Sequence, residues 1–416
     1  MLLRFRTANH RSLRDEVELS LVSQPRKGAS KPGAALPETV RVAGIYGANA
    51  SGKSNVLDAV GFLAKAVRDS FAAWSPTGGV PRTPFLLDAT SRLTPSLYEI
   101  DFLLQDIRHT YGFEVDDQSV RTEWLYSYPT GSRKRILYER EACKFRFGRT
   151  LGGPNSVIAG LVRPNSLFLS VAAANSHPLL TEVFRWVEYL EQPGGFGHGD
   201  SNRTLAALSA RYAAHESQVD SWIRVADLGI GRVRFEADDE FPETDAGEAA
   251  LAHLRKGKIA FTHVASDGSS VDLGFEDESA GTRVWLALAA YVISGITLGS
   301  LIMVDEVDSS LHPKLSAALI QMFKDPSINK NGAQLVFTSH DVSLLGSLID
   351  EGILDRDEVW FTEKDRAGAT TLFPLTDFQP RRGENFERAY LQGRYGAVPF
   401  VDIDELRGLF SDRAAG

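Results

Sequence analysis

With 416 residues, 43% of them hydrophobic and 24% charged, the chain reads as globular, with room for two or three domains or one domain carrying a large insertion. Its net charge of −9 excludes a general basic field for nucleic acid and leaves only local patches for such contact. The single cysteine, Cys143, excludes an intrachain disulfide and a cysteine metal cluster. Met1-Leu2-Leu3-Arg4-Phe5-Arg6 reads as a short strand rather than a leader, so a cytoplasmic location is expected.

The first 25 residues alternate as strands, Leu2 to Thr7 and Glu16 to Val22, and 25–38 reads as loop. Next comes an apolar strand, Val40 to Tyr46, and then Gly47-Ala48-Asn49-Ala50-Ser51-Gly52-Lys53-Ser54. This is the G-x-x-x-x-G-K-S pattern of a phosphate-cradling P-loop, in its required setting between strand and helix. Val56, Leu57, Val60 and Leu63 give the following helix one apolar face, to about Ala73. Gly47 and Gly52 let the backbone curl so that its N–H groups face phosphate oxygens, and the helix N-terminus adds positive potential. In that pattern Asn49, Ser51 and Asn55 line the phosphate site, Lys53 reaches the β- and γ-phosphates of ATP, and Ser54 ligates Mg²⁺.

Residues 96–149 read as antiparallel strands: 97–104, 110–115, 121–126, 135–140 and 143–147. The tip Gly131-Ser132-Arg133-Lys134-Arg135 is first a solvated turn, with a phosphate-backbone contact as the lesser reading. Spacing turns helical over 165–227, with a stripe from Leu179 to Leu190 and a second starting at Leu205, Leu208 and Tyr212. A Gly-rich loop, Pro193 to Asp200, separates them, and 236–257 reads as acidic, then helical. No heptad run is long enough for an extended coiled coil. From about 258 the chain returns to strands. The uncharged run Val284 to Val304 is long enough to span a bilayer. Its Ser, Thr and Gly residues argue instead for a buried helix, a turn and a buried strand.

That strand, Leu301-Ile302-Met303-Val304, ends in Asp305-Glu306. Asp305 is placed to hold the Mg²⁺ shell, and Glu306 to polarise a water for attack on the γ-phosphate. A second apolar strand, Gln334 to Thr338, ends in His340, which is either structural or a γ-phosphate contact. Upstream, Glu278-Ser279-Ala280-Gly281-Thr282-Arg283 opens an apolar helix. Ser279 is a plain N-cap or, with the following amides, part of an anion site.

In this order the P-loop, S-x-G at a helix start, apolar-Asp-Glu, Asp308 in the next loop and strand-end His340 resemble the ABC-type ATPase head. The wide gap between P-loop and signature is similar to the SMC-like, or overcoming-lysogenization-defect-like, branch. Glu278 to Arg283, together with Arg381-Arg382-Gly383-Glu384-Asn385 and Ala389 to Pro399, resembles an AAA-type ATPase family of bacterial abortive-infection and anti-phage loci.

The resemblance implies an α/β fold: a split P-loop ABC-type ATPase head with a mixed sheet, an N-terminal antiparallel β layer and a helical insertion. Lobe I would span 1–150, the insertion (an arm or partner surface) 151–260 and lobe II 261–416. It further implies a homodimer or higher oligomer assembled through ATP, with Ser279 and Gly281 of one subunit capping the nucleotide of another. Asp308 would signal across that interface, and Arg11 matches a basic residue near the phosphates. An effector protein from the same locus is the implied partner. Two departures stand out: Ser279 to Thr282 is not the L-S-G-G-Q of transporters, and no Q-loop glutamine is marked by the sequence, since Gln105 merely follows a strand.

The expectation is an ATP-driven switch. Weighed against it are a nuclease, a transport ATPase and a DNA-bridging repair head. The nuclease has only Asp402 and Asp404 to build on, and too little chain after His340 for a typical domain. The altered signature disfavours transport, and the lack of a long coiled coil disfavours the repair head.

Overall fold

The computed structural model describes residues 1–24, 37–129, 133–190, 215, 217–226, 229–236, 258–346, 352–380 and 383–398. The 25–36 loop, Gly131 and Ser132, the loop from Pro193 to Asp200, and the stripe at Leu205, Leu208 and Tyr212 lie outside the described residues. So do 237–257, Arg381, Arg382, Pro399, Asp402 and Asp404.

Two sheets carry the fold. The first has seven antiparallel strands in the order β2-β1-β4-β5-β6-β7-β8. These are β1 (Leu2–Ala8), β2 (Val17–Ser20), β4 (Ser96–Leu104), β5 (Ile107–Val115), β6 (Val120–Tyr128), β7 (Arg135–Glu141) and β8 (Lys144–Phe147). Short connections between alternating strands favour this meander, and the strand runs read from sequence fall within it.

The second sheet has the order β12-β13-β3-β14-β15. Its members are β3 (Val42–Tyr46), β12 (Leu301–Val304), β13 (Gln334–Thr338), β14 (Val359–Lys364) and β15 (Thr370–Pro374). The first four are mutually parallel and β15 is antiparallel, so the sheet is mixed. β3, β12 and β13 are buried at every residue, as parallel strands covered on both faces must be. The fold is thus α/β with a split P-loop sheet and an N-terminal antiparallel layer.

Each face of the mixed sheet has its own core. Ala43 and Ile45 point into a core with α1 (Lys53–Ala72), with α3 (Asn155–Ala159), α4 (Phe168–Ala174) and α5 (Leu180–Glu188), and with the antiparallel sheet, whose β4 is preceded by the short α2 (Ala89–Leu93). Val42 and Tyr46 point the other way, into a core with α6 (Ala280–Leu298) and α7 (Pro313–Lys324). The period-2 alternation along one five-residue strand therefore serves both cores. The helix α6 has the length and apolarity of a membrane span, yet half of that stretch is buried, with Trp285, Leu288, Ala289 and Val292 in the second core.

Within 151–260, α4 and α5 pack on α1 and complete the first core. A helical stretch at 217–225 and strand β9 (Ile230–Glu236) face the other way. β9 pairs with β10 (Lys258–Val264), which pairs with β11 (Ser270–Gly274), forming a three-stranded sheet that leads into α6. The sequence pattern did not reveal β9, β14 or β15.

Candidate active site

The site is an edge of the mixed sheet. Register pairs Val304 with Phe337 and Thr338 with Ile45. Three parallel strands therefore end side by side, and Asp305, Ser339-His340 and Gly47 leave the sheet at one edge. Carboxyl ends of parallel strands are where such sheets present their loops to ligand.

The P-loop is held open by its neighbours. Gly47 has φ 156° and Gly52 φ 104°. A Cβ at Gly47 would come within 2.5 Å of the Thr362 carbonyl, and one at Gly52 would strike the Thr370 hydroxyl and lie 2.8 Å from Ser12 Oγ. Both glycines thus permit close approach as well as backbone curl. Hydroxyl groups then fasten the loop. Ser51 Oγ is 2.7 Å from Thr362 Oγ1, and Thr370 Oγ1 donates to Ser51 O at 2.7 Å. Ser12 Oγ meets Thr370 Oγ1 at 2.7 Å, and Asn55 Nδ2 donates to Ser12 Oγ at 2.6 Å. Gly52 is the N-cap of α1 and supplies no side-chain acceptor, so the first amides of that helix stay open to an anion.

Lys53 is buried. Its ammonium donates to Gly47 O at 2.9 Å and Ala48 O at 3.1 Å, and lies 3.4 Å from His340 Nδ1. Burial lowers its pKa against the opposing pull of Glu306, Asp305 and Asp308. Ser54 Oγ donates to Asp305 Oδ1 at 3.0 Å, joining groups 251 residues apart in sequence. The same Asp305 oxygen accepts from Thr338 Oγ1 at 2.5 Å. Glu306 is exposed, with a left-handed backbone at φ 51°. The His340 N–H donates to Asp308 Oδ1 at 3.2 Å.

Other predicted residues sit apart from this cluster. Ser279 caps α6, its Oγ accepting from Thr282 N at 3.1 Å, and Gly281 packs against the Ser310 carbonyl. Arg11 is tied to Asp58 on α1, Nε to Oδ2 at 2.5 Å, and His10 Nε2 meets the same oxygen at 2.8 Å. Burial disfavours the Asp58 carboxylate, but hydrogen bonds from His10 and Arg11 outweigh it and hold its pKa below the ordinary range. Asn49 is exposed on the loop. Gln105, which follows β4, sits in the β4–β5 turn and donates to Glu182 on α5 at 3.1 Å.

Sequence reading missed Ser12, Asp58, Thr338, Thr362 and Thr370. All are small polar residues whose partners are far along the chain, so no local spacing marks them.

The residues fit a nucleotide with a divalent ion. A buried ammonium faces loop carbonyls, uncapped helix amides lie beside it, and Ser54 and Asp305 offer adjacent hard oxygens of the kind Mg²⁺ takes. Fold and geometry together define a P-loop protein with an ATPase-type fold, in which residues from both halves of the chain meet beside the P-loop. The family model described as "AAA domain, putative AbiEii toxin, Type IV TA system" matches residues 42–149 and 176–346, and the chain belongs to that family. No curated protein matches the chain closely enough to count as a relative.

Similar solved structures include an SMC head bound to the C-terminal winged-helix domain of ScpA. It is 12% identical with TM-score 0.42, and the match covers 89% of this chain and 96% of that one. The SMC head domain from Thermotoga maritima is 13% identical with TM-score 0.38, over 90% of this chain and 98% of that one. An SMC head with an extended coiled coil from Pyrococcus furiosus, bound to the C-terminal domain of ScpA, is 12% identical with TM-score 0.41, over 91% and 97%.

Proposed function

We propose that the chain binds ATP with Mg²⁺ and hydrolyses it to ADP and phosphate. The observation that carries this reading is the Ser54–Asp305 hydrogen bond beside the Lys53–His340 contact. It brings the P-loop, the acidic motif and the strand-end histidine to one point from distant parts of the sequence. Gly47, Asn49, Ser51, Gly52, Lys53, Ser54 and Asn55 cradle the phosphates. Ser54 and Asp305 hold Mg²⁺, which when bound neutralises charge on the phosphate oxygens. Glu306 orients and deprotonates the attacking water, and His340 contacts the γ-phosphate. Arg11 lends positive charge while its Asp58 partner aligns it.

The nucleotide is shared between subunits. Ser279 and Gly281 face their own Thr282 and Ser310 rather than the P-loop of the same chain, which leaves them to cap the nucleotide of another copy. Asp308, already bonded to the His340 backbone, relays occupancy across that interface. The resulting homodimer or larger assembly acts in the cytoplasm as a sensor and switch in anti-phage defence, controlling an effector protein. Lobe I spans 1–150 and lobe II 261–416, with 151–260 presenting the partner surface.

The test is ATP turnover and mass in solution for the unaltered chain and for Glu306→Gln. Loss of the base lowers turnover by about 100-fold or more. The variant then accumulates as an ATP-bound dimer or larger species. Normal turnover by Glu306→Gln removes Glu306 from the base role, and a mass indifferent to ATP removes the shared nucleotide.

A further inference from the structure

We infer that Thr338 is the positioning residue for Glu306, coupling the P-loop helix to the acidic turn through one buried hydroxyl. The inference rests on the ATPase reading above and deepens it. Thr338 is the last residue of β13 and is 0% exposed. Its Oγ1 donates to Asp305 Oδ1 at 2.5 Å and accepts the Glu306 N–H at 2.7 Å. Its carbonyl accepts the Val307 N–H at 3.0 Å. A threonine hydroxyl has one hydrogen to give, and here Asp305 takes it.

The plain alternative is a β-branched residue filling a buried strand. Valine would fill that place equally well. The hydroxyl is used by the acidic turn, at the point where Glu306 adopts φ 51°. A left-handed backbone at a residue other than glycine persists when its surroundings over-determine it. The two hydrogen bonds that Thr338 accepts from the Glu306 and Val307 amides, one at its hydroxyl and one at its carbonyl, supply that constraint.

Asp305 Oδ1 is also the oxygen that accepts from Ser54 on α1. Ser54, Asp305, Thr338 and the Glu306 amide therefore form one unbroken chain of hydrogen bonds. A shift of Asp305 relative to Ser54 pulls on the Thr338 hydroxyl and through it on the Glu306 backbone. Thr338 reaches the P-loop only through Asp305 and does not contact Lys53 in this chain of contacts, so its removal lowers turnover more than nucleotide affinity.

The experiment compares Thr338→Val with Thr338→Ser in the full chain. In Thr338→Val, exchange of the Glu306 amide speeds up about 10-fold, while the Val307 amide, held by the Thr338 carbonyl, and the β3 amides keep their rates. Nucleotide affinity stays within about 3-fold and kcat falls roughly 10- to 100-fold, the usual size for loss of a supporting hydrogen bond at a site. Thr338→Ser restores both the exchange rates and kcat to within about 3-fold, because it keeps the hydroxyl. Unchanged exchange in Thr338→Val, or a serine variant as impaired as the valine one, overturns the inference. If Thr338→Val does not fold, Thr338→Cys, of similar volume and weaker donor strength, takes its place with the same expected exchange. A chain that binds ATP without turnover sinks the ATPase reading, and the exchange rates still decide the role of Thr338.

Discussion

Glu123 has no side-chain surface in solvent, yet its carboxylate meets five donors. It accepts from Phe168 N at 2.6 Å, Tyr138 Oη at 2.8 Å, Leu169 N at 3.0 Å, Tyr111 Oη at 3.3 Å and Arg140 Nη1 at 3.5 Å. Phe168 and Leu169 open α4, so the carboxylate satisfies amides that the helix itself leaves unpaired. Glu123→Ala takes the carboxylate from the buried Arg140 guanidinium, which keeps its carbonyl acceptors Ala142 O and Ser166 O, and leaves two helix amides without their acceptor. The expected loss is about 3–5 kcal/mol in urea unfolding, as for other buried pairs broken on one side. Tyr138→Phe removes one hydrogen bond and costs about 1 kcal/mol. A Glu123→Ala chain as stable as Tyr138→Phe would show that the carboxylate is not the hub. Sequence alternation marks β6 as a strand but misleads about its faces. It would turn Trp124 and Tyr126 inward and Glu123 out, whereas Glu123, Leu125 and Ser127 are the buried set. The aromatic residues instead cover the outer face, Trp124 donating to Glu99 and Tyr126 lying beneath Lys134.

At the scale of elements, the helical stretch 217–225 is joined to α6 by a reciprocal pair. The indoles of Trp222 and Trp285 stack with centroids 4.4 Å apart. Trp222 Nε1 donates to Trp285 O at 3.2 Å, and Trp285 Nε1 donates to Trp222 O at 3.1 Å. Trp285 lies under two turns from Ser279, so the pair ties the 217–225 stretch to the start of α6. Trp222→Ala removes a large buried ring and one hydrogen bond, with an expected cost of about 3–5 kcal/mol to that packing. Amide exchange should rise in 217–225 and the first turns of α6 while the β3 amides hold, and uniform loosening would instead mark a global effect. This pair shows where sequence reading stops. An apolar helix after Ser279 is legible because its pattern is local, and so are the P-loop and the apolar-Asp-Glu strand. Stacking between residues 63 apart leaves no local trace. The hydroxyl groups of Thr362 and Thr370 behind the P-loop are hidden for the same reason, and the places of β14 beside β3 and of β15 beyond it are set by pairing across the chain that leaves no local pattern.

The whole molecule has two cores sharing one sheet, and among the described residues the first holds three buried histidines, His10, His109 and His177, of which the last two concern stability against pH. His109 stacks on Phe102 at 5.4 Å, and Phe102 stacks on Trp186 at 4.2 Å. His177 accepts the Leu180 N–H at its Nδ1 and contacts Asn155 Oδ1 through Nε2 at 2.9 Å. Burial lowers the pKa of both below 6.5. The sign follows: below pH 6.5 the unfolded chain binds protons that the folded chain resists, so stability rises with pH in that window. It is fully present above about pH 6.5 and is lost as pH falls toward the depressed folded values. Protonation of His177 would also set a proton against the Leu180 amide at the start of α5. Acid should therefore open the first core ahead of the second, visible as faster amide exchange in α4 and α5 at pH 5.5 than at 7.5 beyond the intrinsic change. Because α1 belongs to that core and carries Lys53 and Ser54, nucleotide affinity should weaken over the same window. His177→Gln keeps an amide to bond Asn155 and does not titrate, so it should flatten the pH dependence of unfolding. A slope unchanged in both His177→Gln and His109→Gln would assign the acid sensitivity to other groups and separate the two cores from the pH response of the site.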